Sequence, residues 1–252
     1  MRSTRSGSRP RSGFWRPPAC APTSHPCCCT CPRRSEARCS RCRCSCSACC
    51  TARRPTAYGW RGILLFIVIC LGISNAFENL SILTGFPFGS YHYSDTMSPK
   101  LLLVPLLIGL AYFGVGYPSW TLARAILGDG SGRLRGALVL QTPVIASFIM
   151  VSWDLSIDPM MSTITGNWIW RDGGSYFGVP FVNFLGWYLT VYVFYQIFAL
   201  YARRLDGSRL DIAGYWIKPL FTYTSIIAAP ILSLLLDRQA ATVTDHAGGI
   251  WH

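Results

Sequence analysis

Acidic residues are scarce in this 252-residue chain, and the scarcity is uneven. There are 11 Asp and Glu against 23 Lys and Arg, and only Glu36 falls within residues 1–60. That stretch holds 12 of the basic residues and 11 of the 12 cysteines, so nearly all of the net charge of +12 resides there. From Arg61 onward, 11 bases face 10 acids. The high pI is thus a property of the tail, and it argues little for nucleic acid as a partner of the folded part.

Residues 1–60 also lack aliphatic side chains and any hydrophobic period. They cannot bury a core and are expected to form a disordered, low-complexity tail. The cysteine runs CCCTC and RCRCSCSACC lack the paired spacing with a separating loop that a zinc site uses. No apolar h-region precedes residue 62, which speaks against a signal peptide. The mixture of Arg, Pro, Ser and Cys reads as a GC-rich gene translated from a wrong start or out of frame. On that reading the tract has no function and a native N-terminal segment is missing. Elsewhere the chain has no His-box of the di-iron membrane oxidases, no GxGxxG, no P-loop and no GxSxG elbow. Those absences count against a desaturase, a flavin enzyme, an ATPase and an α/β hydrolase. His92 is a lone loop histidine with no neighbour in sequence for a metal pair, so neither a metal site nor a cofactor is expected.

What the chain has in quantity is apolar sequence. Five spans are predicted, at residues 62–77, 101–120, 136–153, 181–202 and 216–236, each near the length that crosses a bilayer core. A soluble helix would carry a polar stripe every 3.6 residues, and these mostly do not. The fold class expected is all-α, a polytopic transmembrane helix bundle over residues 61–238, followed by a C-terminal tail, 239–252. Pro105, Pro118, Pro143, Pro219 and Pro230 lie in or near the spans, which membrane helices tolerate. The loop after the second span carries Arg124, Arg133 and Arg135, and the loop after the fourth carries Arg203, Arg204 and Arg209. The positive-inside rule places both in the cytoplasm. The N-terminus is then inside, the C-terminus outside, and the protein an integral, multi-pass component of the cell membrane.

That topology brings Glu78, the segment TGFPFGSYHYSD (84–95), Asp154, Asp158 and the aromatic loop 166–180 to one membrane face. Ionisable residues at membrane depth are costly and point to function by default. Asp154 and Asp158 are four apart and would share a helix face, although Pro159 disfavours helix at Asp158. Glu78, Asp154 and Asp158 are the candidate catalytic groups. Trp168, Trp170, Tyr176 and Phe177 form an aromatic cluster that suits either an interfacial belt or a pocket able to shield a cation.

The motifs TGFPFGSYHYSD, PKLLLVPLLIGLAYF, WDLSIDPMM, GNWIW and GSYFGVPFVNFLGW resemble, in order and spacing, the membrane carotenoid-biosynthesis family. Its characterised members are carotenoid 1,2-hydratases, bisanhydrobacterioruberin hydratases included. The resemblance covers roughly residues 72–236, and the N-terminal tract departs from it, because the family has further apolar helix there. It implies a carotenoid in the bilayer as substrate. Phe88, Tyr91 and Asn183 join Trp168, Trp170, Tyr176 and Phe177 as candidate substrate contacts.

It also implies a cofactor-independent addition of water across the terminal C1=C2 bond of an acyclic end group. That chemistry needs a proton donor, a cation-tolerant pocket and one held water. An ordinary aspartic acid, pKa about 3.9, is protonated in about one molecule in a thousand at pH 7. The acid must therefore sit in an apolar site or beside a second carboxylate. Asp154 is the expected acid, with Asp158 or Glu78 holding the water as base. A lycopene-type cyclase would begin with the same protonation, and a non-enzymatic isoprenoid-binding protein would need the aromatic groove alone.

Overall fold

The computed structural model describes residues 58–129, 133–204, 217–236, 243–244 and 248–251. The expectations for the Cys/Arg tract up to residue 57, for Arg209 and for most of the C-terminal tail lie outside the described residues. Within them, a helix forms at each of the five predicted spans: α1 (Gly59–Thr84), α2 (Leu106–Ile126), α3 (Leu138–Asp158), α4 (Phe181–Ala202) and α5 (Ile217–Leu236). Four stretches among the described residues, α1, α2, α3 with its continuation to Ile164, and α4, are long and apolar enough to cross a membrane.

Two boundaries differ from expectation in ways that matter for the site. Helix α1 does not stop near residue 77 but runs past Glu78 to Thr84. Its buried residues Gly62, Phe66, Cys70, Ser74 and Glu78 recur every fourth position, so they form one inward stripe. Glu78 therefore faces the bundle from within the helix instead of capping its edge. The helix ends where Gly85 adopts φ +79° and its N–H reaches the Ser81 carbonyl, a left-handed stop suited to glycine.

At the other boundary, Asp158 is the last residue of α3, and Pro159 opens a π-helical turn, Pro159–Ile164, in place of a break. Proline removes the N–H that would bond the carbonyl four residues back. That carbonyl belongs to Leu155, and the Tyr176 hydroxyl donates to it at 3.2 Å. Ser162 donates to the Asp158 carbonyl at 2.8 Å, which holds the turn in line with α3. Pro159 was expected to disfavour helix at Asp158, and on this account Asp158 nonetheless stays helical as the last residue of α3. The predicted start of the second span also shifts. Residues 100–105 form a tight hairpin of β2 (Lys100–Leu101) and β3 (Val104–Pro105), and α2 begins after it.

Helices α1 to α4 pack in a ring, α1 on α2 and α4, and α3 on α2 and α4, while α5 lies against α2 and α3. The core between them is aromatic: Phe66, Tyr112, Trp120, Phe194, Tyr195 and Phe198 are fully buried. Lipid tails are as apolar as these side chains, so close packing, not expulsion from water, holds such helices together. The segments between spans are not plain loops. Strand β1 (Tyr91–Tyr93) pairs antiparallel with β4 (Trp168–Trp170), in the register Tyr91 to Trp170 and Tyr93 to Trp168. This ribbon covers one end of the bundle. Gly186 of α4 lets the turn at Pro87 approach it, since a Cβ there would meet the Pro87 carbonyl oxygen at 2.6 Å.

Candidate active site

The alternating helices bring four termini to the end covered by the ribbon: the close of α1 and α3 and the start of α2 and α4. Each supplies a polar side chain to one buried cluster. Glu78 of α1, with Asp154 and Asp158 of α3, are the acids, and they are 3%, 2% and 1% exposed. Among the described residues, none of the three pairs with a Lys or Arg.

Their partners are neutral donors. Tyr91 and Tyr93 both donate to Oε2 of Glu78, Tyr93 at 2.9 Å, and Tyr112 of α2 donates to Oε1 at 2.8 Å. The Asn183 amide at the start of α4 bridges the other two acids, donating to Asp158 Oδ2 at 2.6 Å and to Asp154 Oδ2 at 3.2 Å. The Trp168 indole N–H donates to Asp158 Oδ1 at 2.6 Å. Asp158 thus has a donor on each oxygen, whereas Asp154 has one, and that the longer. Burial, reinforced by the Glu78 charge, holds the phenols of Tyr91 and Tyr93 well above the usual value of 10.0, so both remain donors.

A cavity of about 20 Å³ lies at the centre, lined by Glu78, Phe88, Tyr91, Asp158, Trp168, Trp170, Asn183 and Trp187. That is room for about one water molecule, with polar partners on several sides. Aromatic rings close it. Tyr91 and Trp170 lie 4.9 Å apart, and Trp187 stacks on Tyr112 at 4.3 Å with the planes 4° from parallel.

The structure thus gathers Glu78, Asp158, Phe88, Tyr91, Trp168, Trp170 and Asn183 around this cavity, with Asp154 one helical turn behind Asp158. It does not bring Tyr176 and Phe177 there. Tyr176 packs edge-on against Phe184 and bonds the Leu155 carbonyl, and Phe177 is 44% exposed. Three contributors were not foreseen. Tyr93 was signalled by the alternation in Tyr91-His92-Tyr93, which sends both tyrosines to one side of a strand. Trp187 falls in the helically spaced aromatic stripe Phe184, Trp187, Tyr188, Tyr192 and Tyr195, which suits packing or the lining of a groove. Tyr112 is one of two phenols, with Tyr117, in an apolar helix, and nothing local marks it.

The sequence model of a family described as "Carotenoid biosynthesis protein" matches residues 44–245. The chain belongs to that family. It is also similar to a bisanhydrobacterioruberin hydratase of Haloarcula japonica, 30% identical over 118 residues, which cover 46% of this chain and 38% of the relative. The match therefore spans well under half of that protein. No solved structure matches the chain. Family membership places the chain in carotenoid biosynthesis, and its long apolar helices place it in the membrane.

Proposed function

We propose that the chain is a hydratase that adds water to the terminal C1=C2 bond of an acyclic carotenoid end group. The observation that carries this reading is the cluster of three buried carboxylates, held by neutral donors alone, two of which, Glu78 and Asp158, line a cavity the size of one water. Three ionised acids so close and so dry would repel strongly, and burying unpaired charge is costly. A site of this kind keeps at least one proton, which is what alkene hydration requires.

Asp154, the carboxylate with the weakest hydrogen-bond support, carries that proton and delivers it to C2. The positive charge that develops at C1 is shielded by the ring faces of Tyr91, Trp168 and Trp170. The water held between Glu78 and Asp158 attacks C1 and gives a proton to one of these two acids. Asp154 ends one proton short and its neighbour one richer, so transfer among the carboxylates resets the site. No redox partner is needed, because the product is the alkene plus water.

The membrane orientation belongs to the same reading. Arg124, Arg133, Arg135, Arg203 and Arg204 cluster at the end of the bundle opposite the ribbon, so that end is cytoplasmic by the positive-inside rule. The carboxylate end lies at the other headgroup face, where water and the end of a bilayer-dissolved substrate meet.

Expression of the chain in a bacterium that accumulates lycopene, followed by mass analysis of the pigment, tests the activity. Product heavier by one or two waters is expected. Product of unchanged mass and altered absorption would identify a cyclase instead. Unaltered lycopene, with the protein present in the membrane, would remove support for hydration of this substrate.

A further inference from the structure

The water-sized cavity cannot hold a carotenoid end group, still less the chain behind it. A second cavity lies beside it, a groove of about 530 Å³ whose exposed surface is almost wholly apolar. Its volume is within the range of about 300–1,000 Å³ found for small-molecule sites. Ala111 of α2, Ile157 of α3, Met160 and Met161 of the π-helical turn and Ala229 of α5 form its walls, and Trp168 closes it toward the carboxylates. Trp168 is common to the linings of both cavities. On one side its N–H holds Asp158, and on the other it bounds apolar space.

We propose that this groove is the binding site for the apolar chain of an acyclic polyene, whose end passes Trp168 to reach the carboxylates. Three observations favour this occupant over a polar one. The groove lies on the flank of the bundle between α2, α3 and α5, where a bilayer-dissolved molecule arrives sideways. The thioethers of Met160 and Met161 are flexible and polarizable, which suits an extended conjugated chain. The groove is also bounded by Trp168, the residue that bonds Asp158, so a chain lying in it has its end near that acid. For that end to advance, the indole of Trp168 must turn, and its N–H then leaves Asp158. Arrival of the chain would loosen the acid that faces the water.

This inference rests on the hydratase reading only in naming the reacting end, and binding can be measured apart from turnover. The full chain, purified in detergent, is titrated with lycopene, and the induced circular dichroism of the polyene is followed. Pigment mass is recorded separately. Ala111→Trp and Ala229→Trp fill the groove from opposite walls, and Leu110→Trp, on an exposed position outside the groove, serves as control.

The wild-type chain and L110W are expected to bind alike, and both groove variants about tenfold or more weakly, the scale on which overpacking acts. Two groove variants are used so that misfolding of one, seen as lost abundance or a lowered melting temperature, leaves the other to decide. Wild-type affinity in both groove variants, or no binding by the wild-type chain, overturns the proposal. Binding that the variants block, without any gain of mass in the pigment, would leave the groove standing and the hydratase reading fallen.

Discussion

The two ends of this helix bundle bury carboxylates in opposite ways. At the end away from the ribbon, Asp129 meets the guanidinium of Arg124, with Nη2 and Nε each 3.0 Å from its Oδ2. The Tyr58 hydroxyl then accepts Arg124 Nη1 at 2.6 Å and Trp120 Nε1 at 3.0 Å. Charge is matched by charge. At the ribbon end, Glu78, Asp154 and Asp158 meet only phenols, an indole and an amide. An arrangement serving stability alone would follow the first pattern, because an uncompensated buried charge weakens a fold. The second retains an electrostatic strain that the first avoids, and such strain gathers where protons are moved.

The comparison can be broken by exchanging acids for their neutral isosteres. Asp154→Asn is expected to lower hydration by about 10²–10⁴-fold, the usual contribution of a positioned general acid, while abundance and melting temperature stay at or above wild type. Full activity at normal abundance would remove Asp154 from the mechanism. Asp129→Ala should do the reverse. It removes the carboxylate that Arg124 faces and is expected to cost about 3 kcal/mol of stability, read as a lower melting temperature in detergent, with little change in turnover per folded molecule.

A smaller effect is expected at the supports of Glu78. Tyr93→Phe removes one of three donors to that carboxylate and should cost about 1–3 kcal/mol. Because Tyr91 and Tyr112 remain, activity should fall less than with the Asp154 variant. The smallest effect concerns pH. Tyr91 and Tyr93 have folded-state values well above the 10.0 of a free phenol, which the unfolded chain retains. Their contribution to stability is therefore complete below pH of about 10, and is lost as pH rises from there toward the folded-state values. Melting temperatures measured on both sides of pH 10 should show no decline from these groups below it. A tyrosinate absorbance step from Tyr91 and Tyr93 in the folded protein near neutral pH would contradict their placement.

Much of the bundle could be read from hydropathy because the bilayer demands long apolar runs. The span at 181–202 coincides with α4, which starts directly after Pro180. Hydropathy was less informative where a helix carries polar residues on its inner face. Ser74, Asn75 and Glu78 interrupt the apolar run of α1, so the run closes early, although the fourfold spacing from Gly62 to Glu78 already marked a continuing stripe. The expectation at Asp158 rested on a local rule. The rule for residues before proline describes an isolated chain, and here Tyr176, far along the sequence, bonds the carbonyl that the proline frees. The partners of the carboxylates were the least legible part. Tyr112 and Asn183 reach Glu78 and Asp158 only through helix packing, which leaves no trace in the neighbouring residues.

The ribbon also sets an order on the birth of the site. Strand β1 precedes α2, and its partner β4 follows α3, so the two cannot pair until both intervening helices have entered the membrane. Until Trp168 emerges, Asp158 lacks the indole that bonds it, and until Asn183 follows, the two aspartates have no amide between them. A chain halted between α3 and β4 would hold both aspartates without Trp168 or Asn183, although the three tyrosine donors to Glu78 would already be made. The hydrogen bonds to the two aspartates are thus acquired late in synthesis, as a product of the finished topology and not of any single segment.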